Sequence, residues 1–206
     1  QGATDIILQV DDDFPLRFNS GYANNGAPLT GRDRWNVGVT WGDALWLDQQ
    51  FSYQFSSNED FWLHPGHVPV KEGDADFASH SASYIVPLPW HNRLILSGAY
   101  SQVRPQIGPD FGEVGVNWQA SLRYAMPLAT RGRSLGELQF GFDFKRSNND
   151  LQFGGVDISN ITTDIDQFAL SYATLLSDAW GQTQLSDRIA LSPGNMSGGN
   201  TDEAFQ

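Results

Sequence analysis

Val114-Gly115-Val116-Asn117-Trp118-Gln119-Ala120-Ser121-Leu122-Arg123-Tyr124 alternates without a break. Every even position is aliphatic or aromatic, and every odd position is glycine, polar or charged. Side chains on a strand point in turn to opposite faces, so this segment is a strand with one greasy face and one wet face. Three other stretches share the pattern: Trp35-Val37-Val39-Trp41, Phe51-Tyr53-Phe55 and Leu138-Phe140-Phe142-Phe144. Asn36, Thr40, Ser52, Gln54, Gln139, Asp143 and Lys145 sit between or beside them. Soluble antiparallel sheets also alternate, but their inner faces are mostly Val, Ile and Leu and their outer faces carry abundant Lys and Glu. Here the apolar face is dominated by Trp, Tyr and Phe, which suits a wall with lipid on one side and water on the other.

Composition is consistent with such a wall. The chain has 206 residues, 13% of them aromatic, with 21 Gly and no Cys. No apolar run is long enough for a transmembrane helix, and the mean hydropathy is −0.37. Barrel strands need only about 10 residues, half of them polar, so a low average is expected of them. Without cysteine there is neither a disulfide nor a thiolate-bound metal. The formal charge of −12, from 24 acidic and 12 basic residues, argues against nucleic acid, whose phosphates require a basic footprint.

Turn signals between the alternating runs give about nine strands, near 15–23, 33–42, 49–57, 77–87, 93–103, 113–125, 136–146, 165–176 and 182–191. Residues 1–13 read as the end of a preceding domain and a polar hinge, Asp11-Asp12-Asp13. Residues 14–206 read as the β-barrel segment. Connections at 42–45, 87–92 and 177–181 are short, whereas 58–76 and 147–164 read as long polar loops, the asymmetry expected of the two rims of an outer-membrane barrel. Trp41, Tyr84, Tyr124 and Tyr172 each fall just before a short turn. Trp41, Trp46, Trp90 and Trp180 cluster beside the same turns, where amphipathic rings would form one interfacial girdle. The fold expected is therefore all-β, an antiparallel transmembrane β-barrel wall of about nine meander strands belonging to a larger barrel, or a shortened barrel.

Three segments resemble the two-partner secretion transporters, the hemolysin activator family, in collinear order. They are Gly31-Arg32-Asp33-Arg34-Trp35 through Trp41-Gly42-Asp43-Ala44-Leu45, then Ser79-His80-Ser81-Ala82-Ser83-Tyr84-Ile85-Val86-Pro87-Leu88-Pro89-Trp90, then Phe144 through Gly155. The resemblance implies a sixteen-stranded barrel in the outer membrane of a Gram-negative bacterium, preceded by two periplasmic domains. It implies export of a secreted adhesin- or hemolysin-like polypeptide partner, with no cofactor and no enzymatic activity. The family's Val-Arg-Gly-Tyr/Phe loop motif does not occur in this chain. Nine strands also cannot close an even-numbered barrel, and an open edge in lipid leaves backbone groups unpaired. Two further readings stand beside the transporter: a small self-associating structural or adhesive outer-membrane protein joined through open strand edges, and a soluble β-sandwich binding module.

Strand parity assigns the candidate functional residues. Trp35, Val37, Val39, Phe51, Tyr53, Phe55, Trp118, Leu122, Phe140, Phe142 and Phe144 are expected to face outer-membrane lipid. Arg17, Gln119, Arg123, Gln139, Asp143, Lys145 and Arg188, with Gln184, are expected to face a water-filled lumen, where they set the field along a conduit or hydrate and cross-brace it. His64-Pro65-Gly66-His67, near Glu59, Asp60, Glu72, Asp74 and Asp76, matches no established metal-ligand spacing and reads as a hydrated loop. His80 shares a face with Ala82 and Tyr84, while Ser79 and Ser81 point the other way, so they make no catalytic dyad. No Gly-x-Ser-x-Gly elbow and no phosphate-binding glycine loop occur.

Overall fold

A computed structural model describes residues 14–59, 75–108, 110–128, 135–154, 156–177 and 179–201. The expected hinge and preceding domain at 1–13, and the histidine-bearing part of the 58–76 loop, lie outside the described residues. Nine strands form one sheet: β1 Leu16–Asn24, β2 Asp33–Ala44, β3 Gln49–Ser57, β4 Phe77–Pro87, β5 Arg93–Val103, β6 Phe111–Leu128, β7 Leu135–Phe153, β8 Val156–Ser177 and β9 Gln182–Leu191. Their order in the sheet is their order in the sequence, and every neighbouring pair is antiparallel. One turn of 3-10 helix, Pro28–Thr30, lies between β1 and β2. Among the described residues β1 and β9 are both edges, and the sheet is open.

The expected loop at 147–164 is corrected by the structure. β7 runs to Phe153 and β8 starts at Val156, so this segment is the protruding end of a long hairpin, turned at Gly154 with φ +59°. Asn148↔Thr162 and Asp150↔Asn160 continue the ladder. Backbone pairing does not require alternation, and Ser147-Asn148-Asn149-Asp150 are polar at both parities. The polar pattern therefore looked like a loop although the hydrogen bonding is that of strands. A register shift at Leu151/Gln152 accommodates one extra residue near the tip.

The meander places the β2–β3, β4–β5 and β8–β9 turns at one end and the β7–β8 hairpin tip at the other. The first of these is tight: Leu45, Trp46 and Asp48 all adopt left-handed backbone conformations with φ near +60°. The Asp48 N–H donates to the Asp43 carboxylate at 2.7 Å, which holds the turn closed and Trp46 outward.

Candidate functional site: a two-faced wall

Register joins the local alternation of each strand into continuous rows, because directly opposed residues in an antiparallel pair share a face. One row starts at Leu16 and crosses Trp41, Phe51, Tyr84, Leu96, Leu122, Phe142 and Phe168 to reach Leu191. All nine members are apolar or aromatic. The neighbouring row on the opposite face runs Arg17, Thr40, Ser52, Ser83, Ser97, Ser121, Asp143, Gln167. All eight are polar, and five are hydroxyl residues.

The eleven residues assigned to lipid from the sequence all fall on the first face. Val37 opposes Phe55, Val39 opposes Tyr53, and Trp35 sits one pair further along. Leu122 opposes Phe142, and Tyr124 opposes Phe140. Trp118 stacks on Phe144 with ring centroids 4.6 Å apart, and Phe142 meets Phe168 at 5.1 Å. Much of this face is left open by the described chain: Leu122, Phe140, Phe168 and Leu170 are each 45–48% exposed, although Phe55 is only 8% exposed. His80 lies here too, and its Nδ1 is 2.7 Å from the Tyr53 hydroxyl.

The seven residues assigned to a lumen fall on the second face, and three of them meet. Arg123 on β6 grips both carboxylate oxygens of Asp143 on β7 at 2.5 and 2.6 Å. Arg188, from β9, reaches the same carboxylate at 2.9 Å and the Gln167 amide oxygen at 3.3 Å. Asp143 is covered, with 4% of its side chain exposed against 49% for Arg188. Gln119 opposes Lys145, whereas Arg17 stands at the far edge of the sheet on β1. Gln139 opposes Ser171 and donates to the Glu137 carboxylate. Gln184, on β9, belongs to the same face.

Sequence reasoning passed over several residues. Glu137 pairs with Arg93 across β6 on the polar face, and its parity with Gln139 could have placed it there. Arg146 has the parity of Phe144 and lies on the aromatic face. Its guanidinium holds Asp164 at 2.6 and 2.8 Å and sits 5.6 Å above the Trp118 ring. The chain after β9 folds over this point. The Gly199 carbonyl accepts the Asp164 N–H at 2.9 Å, and Ser197 donates to the Asp166 carboxylate at 2.6 Å.

Tryptophans gather at the short-turn end. Trp46, Trp90 and Trp180 are 75%, 58% and 97% exposed. Trp41 and Trp46 make an edge-on contact at 6.1 Å. The Trp90 indole and the Asn92 amide both donate to the Tyr124 hydroxyl, at 2.7 and 2.6 Å. Rings with one polar handle and a large apolar body settle where hydrocarbon meets water.

The family model described as haemolysin secretion/activation protein ShlB/FhaC/HecB matches residues 2–193. Among solved structures, CdiB from Escherichia coli matches with a TM-score of 0.71 and 15% sequence identity, covering 91% of this chain and 33% of that one. At this identity the likeness speaks for the fold. The chain spans about a third of the length of CdiB. No curated protein matches it.

Proposed function

Because this chain belongs to the haemolysin secretion/activation family of ShlB, FhaC and HecB, a family of outer-membrane transporters, we propose that its nine strands are part of the wall of a conduit that exports a secreted polypeptide partner. In this reading residues 14–206 are barrel segment, the aromatic face meets lipid and the polar face lines the passage. The wall is noncatalytic; it supplies a hydrated surface along which an unfolded chain moves.

The observation that carries the reading is the pair of uninterrupted rows, apolar from Leu16 to Leu191 and polar from Arg17 to Gln167. Moving one such Leu or Phe side chain out of water is worth about 1.5–3 kcal/mol. A hydrocarbon surrounding accounts for such a face being left open. The convergence of Arg123 and Arg188, three strands apart, on one carboxylate supports placing the polar face on the inside of the curve. Small hydroxyls at Ser52, Ser83, Ser97 and Ser121 leave that side open and hydrogen-bonding. Arg146 and Asp164 stand in the ladder row of Trp118 and Tyr100, so the apolar face gives way to charge on β7 and β8 at that level.

The free edges bear on how the wall is completed. β9 is exposed at every residue, and backbone groups facing lipid must be paired. Further strands of a longer chain would pair them, and a second copy meeting edge to edge is the other arrangement that would do so.

The test is paired cysteine scanning of the full-length protein in native membranes. Leu122→Cys and Phe142→Cys should react with a lipid-soluble maleimide, and Ser97→Cys and Ser121→Cys with a charged, water-borne one. The two serine positions should also cross-link to a secreted partner arrested in transit. Reversed labelling would overturn the assignment of faces, and absence of cross-links at both serines would overturn the conduit.

A further inference from the structure

The two faces differ in the sign of their charge as well as in polarity, and this inference rests on the conduit reading above. The chain carries 24 acidic and 12 basic residues, so an even distribution would make every surface acidic. In the ladder rows of the polar face the ratio is reversed. Arg17, Arg34, Arg93, Arg123, Lys145 and Arg188 stand there against Glu113, Glu137 and Asp143. Half of the basic residues thus share a face with an eighth of the acidic ones.

Pairing inside this set leaves the excess positive. Arg93 neutralises Glu137. Asp143 is one carboxylate shared by two guanidinium groups, so the triad keeps a net positive charge. Arg34 is spent on the carbonyls of Thr30 and Gly31. Among the described residues no carboxylate forms an ion pair with Arg17 or Lys145. Lys145 sits two residues from Asp143 on the same strand face, in a recess of about 440 Å³ shared with Ser101, Asn117, Gln119 and Ser147. A low-dielectric wall behind these charges focuses their field into the water in front of them.

We propose that this wall presents an electropositive strip to the passage, centred on Lys145 and the Arg123–Asp143–Arg188 triad, and that it favours anions and the acidic segments of a polypeptide in transit. Lys145, Arg188 and Arg17 set that preference, while the serines and threonines of the neighbouring strands supply neutral contact.

The experiment uses the purified full-length protein in planar bilayers under a KCl gradient, with a short oligoglutamate or oligolysine peptide added as blocker. Replacing Arg17→Gln and Lys145→Gln together should move the reversal potential toward the value for potassium and shorten oligoglutamate block about fivefold for each cation removed. Gln119→Lys, which adds a cation to the recess, should move both readouts the opposite way. Arg146→Gln, on the aromatic face, should move neither. Oligolysine blocking as long as oligoglutamate, or selectivity unchanged in both the double variant and Gln119→Lys, would overturn the electropositive strip and leave the conduit standing. Failure of the unmodified protein to conduct at all would overturn the conduit and the strip together.

Discussion

Arg188 on β9 reaches past β8 to the Asp143 carboxylate on β7, 2.9 Å away, where Arg123 from β6 already holds it at 2.5 Å. One covered acid thus ties the last four strands together on the polar face. Asp143→Asn should leave two guanidinium groups facing each other and cost roughly 2–4 kcal/mol, toward the lower end of what breaking a buried pair costs, because Arg188 is half exposed. Arg188→Gln removes the exposed partner and should cost less than about 1 kcal/mol. Urea unfolding in detergent, followed by loss of the heat-modifiable band, measures both. Equal losses would show that Asp143 is not the centre of the cluster.

Leu122→Arg and Phe142→Arg place a cation in the apolar row. Each should cost roughly 2–4 kcal/mol, the penalty for a cation at the bilayer midplane. Ser121→Arg, on the opposite face beside Asp143, should cost far less because water solvates the new charge. The unmodified chain should refold in lipid or detergent only; cooperative refolding of residues 1–206 as a monomer in plain buffer would contradict the membrane wall.

Gly141 marks the closest approach in the sheet. A Cβ there would lie 1.9 Å from the Leu122 carbonyl oxygen, a backbone atom that cannot swing away. Gly141→Ala should therefore shift the β6–β7 pairing and cost about 1–3 kcal/mol, as overpacking does. Gly98 is the control: a Cβ there meets the Gln119 carbonyl oxygen at an ordinary 3.7 Å. Gly98→Ala should stabilise by roughly 0.5–1 kcal/mol, since glycine in a strand loses the most conformational freedom on folding. Denaturation midpoints of the two variants should move in opposite directions.

Acid should release the segment after β9. The Arg146 guanidinium grips both oxygens of the Asp164 carboxylate at 2.6 and 2.8 Å, and the Gly199 N–H donates to it at 3.2 Å. Protonation of an ion-paired carboxylate removes the charge that its cation holds, so a contact built on it is present at neutral pH and lost in acid. Residues 192–201 should stay docked at neutral pH and come free in acid. Arg146→Gln should raise the pH of release. Mobility of a spin label on Met196→Cys, titrated from pH 7 to 2.5, gives the curve; a label equally immobile throughout would rule the idea out.

The sequence by itself determined the class of structure, the number of strands and which face each side chain takes. Every lipid and lumen candidate from Arg17 to Arg188 was placed by counting odd and even positions, because alternation is a property of a single strand and needs no knowledge of its neighbours. Strand ends were legible as long as one face was apolar and the other polar. Beyond Arg146, where polar residues occupy both parities, the pattern faded and the hairpin from Ser147 to Asp164 passed for a loop. Only the tertiary structure decided which residues stand side by side. Arg188 and Asp143 are 45 residues apart, Arg93 and Glu137 are 44 apart, and the docking of Ser197 on Asp166 spans 31. Those meetings depend on register, which is set by turn geometry and by the burial of whole rows at once, and a shift of one residue would send each partner to the opposite face. The single-strand pattern carries no record of that choice.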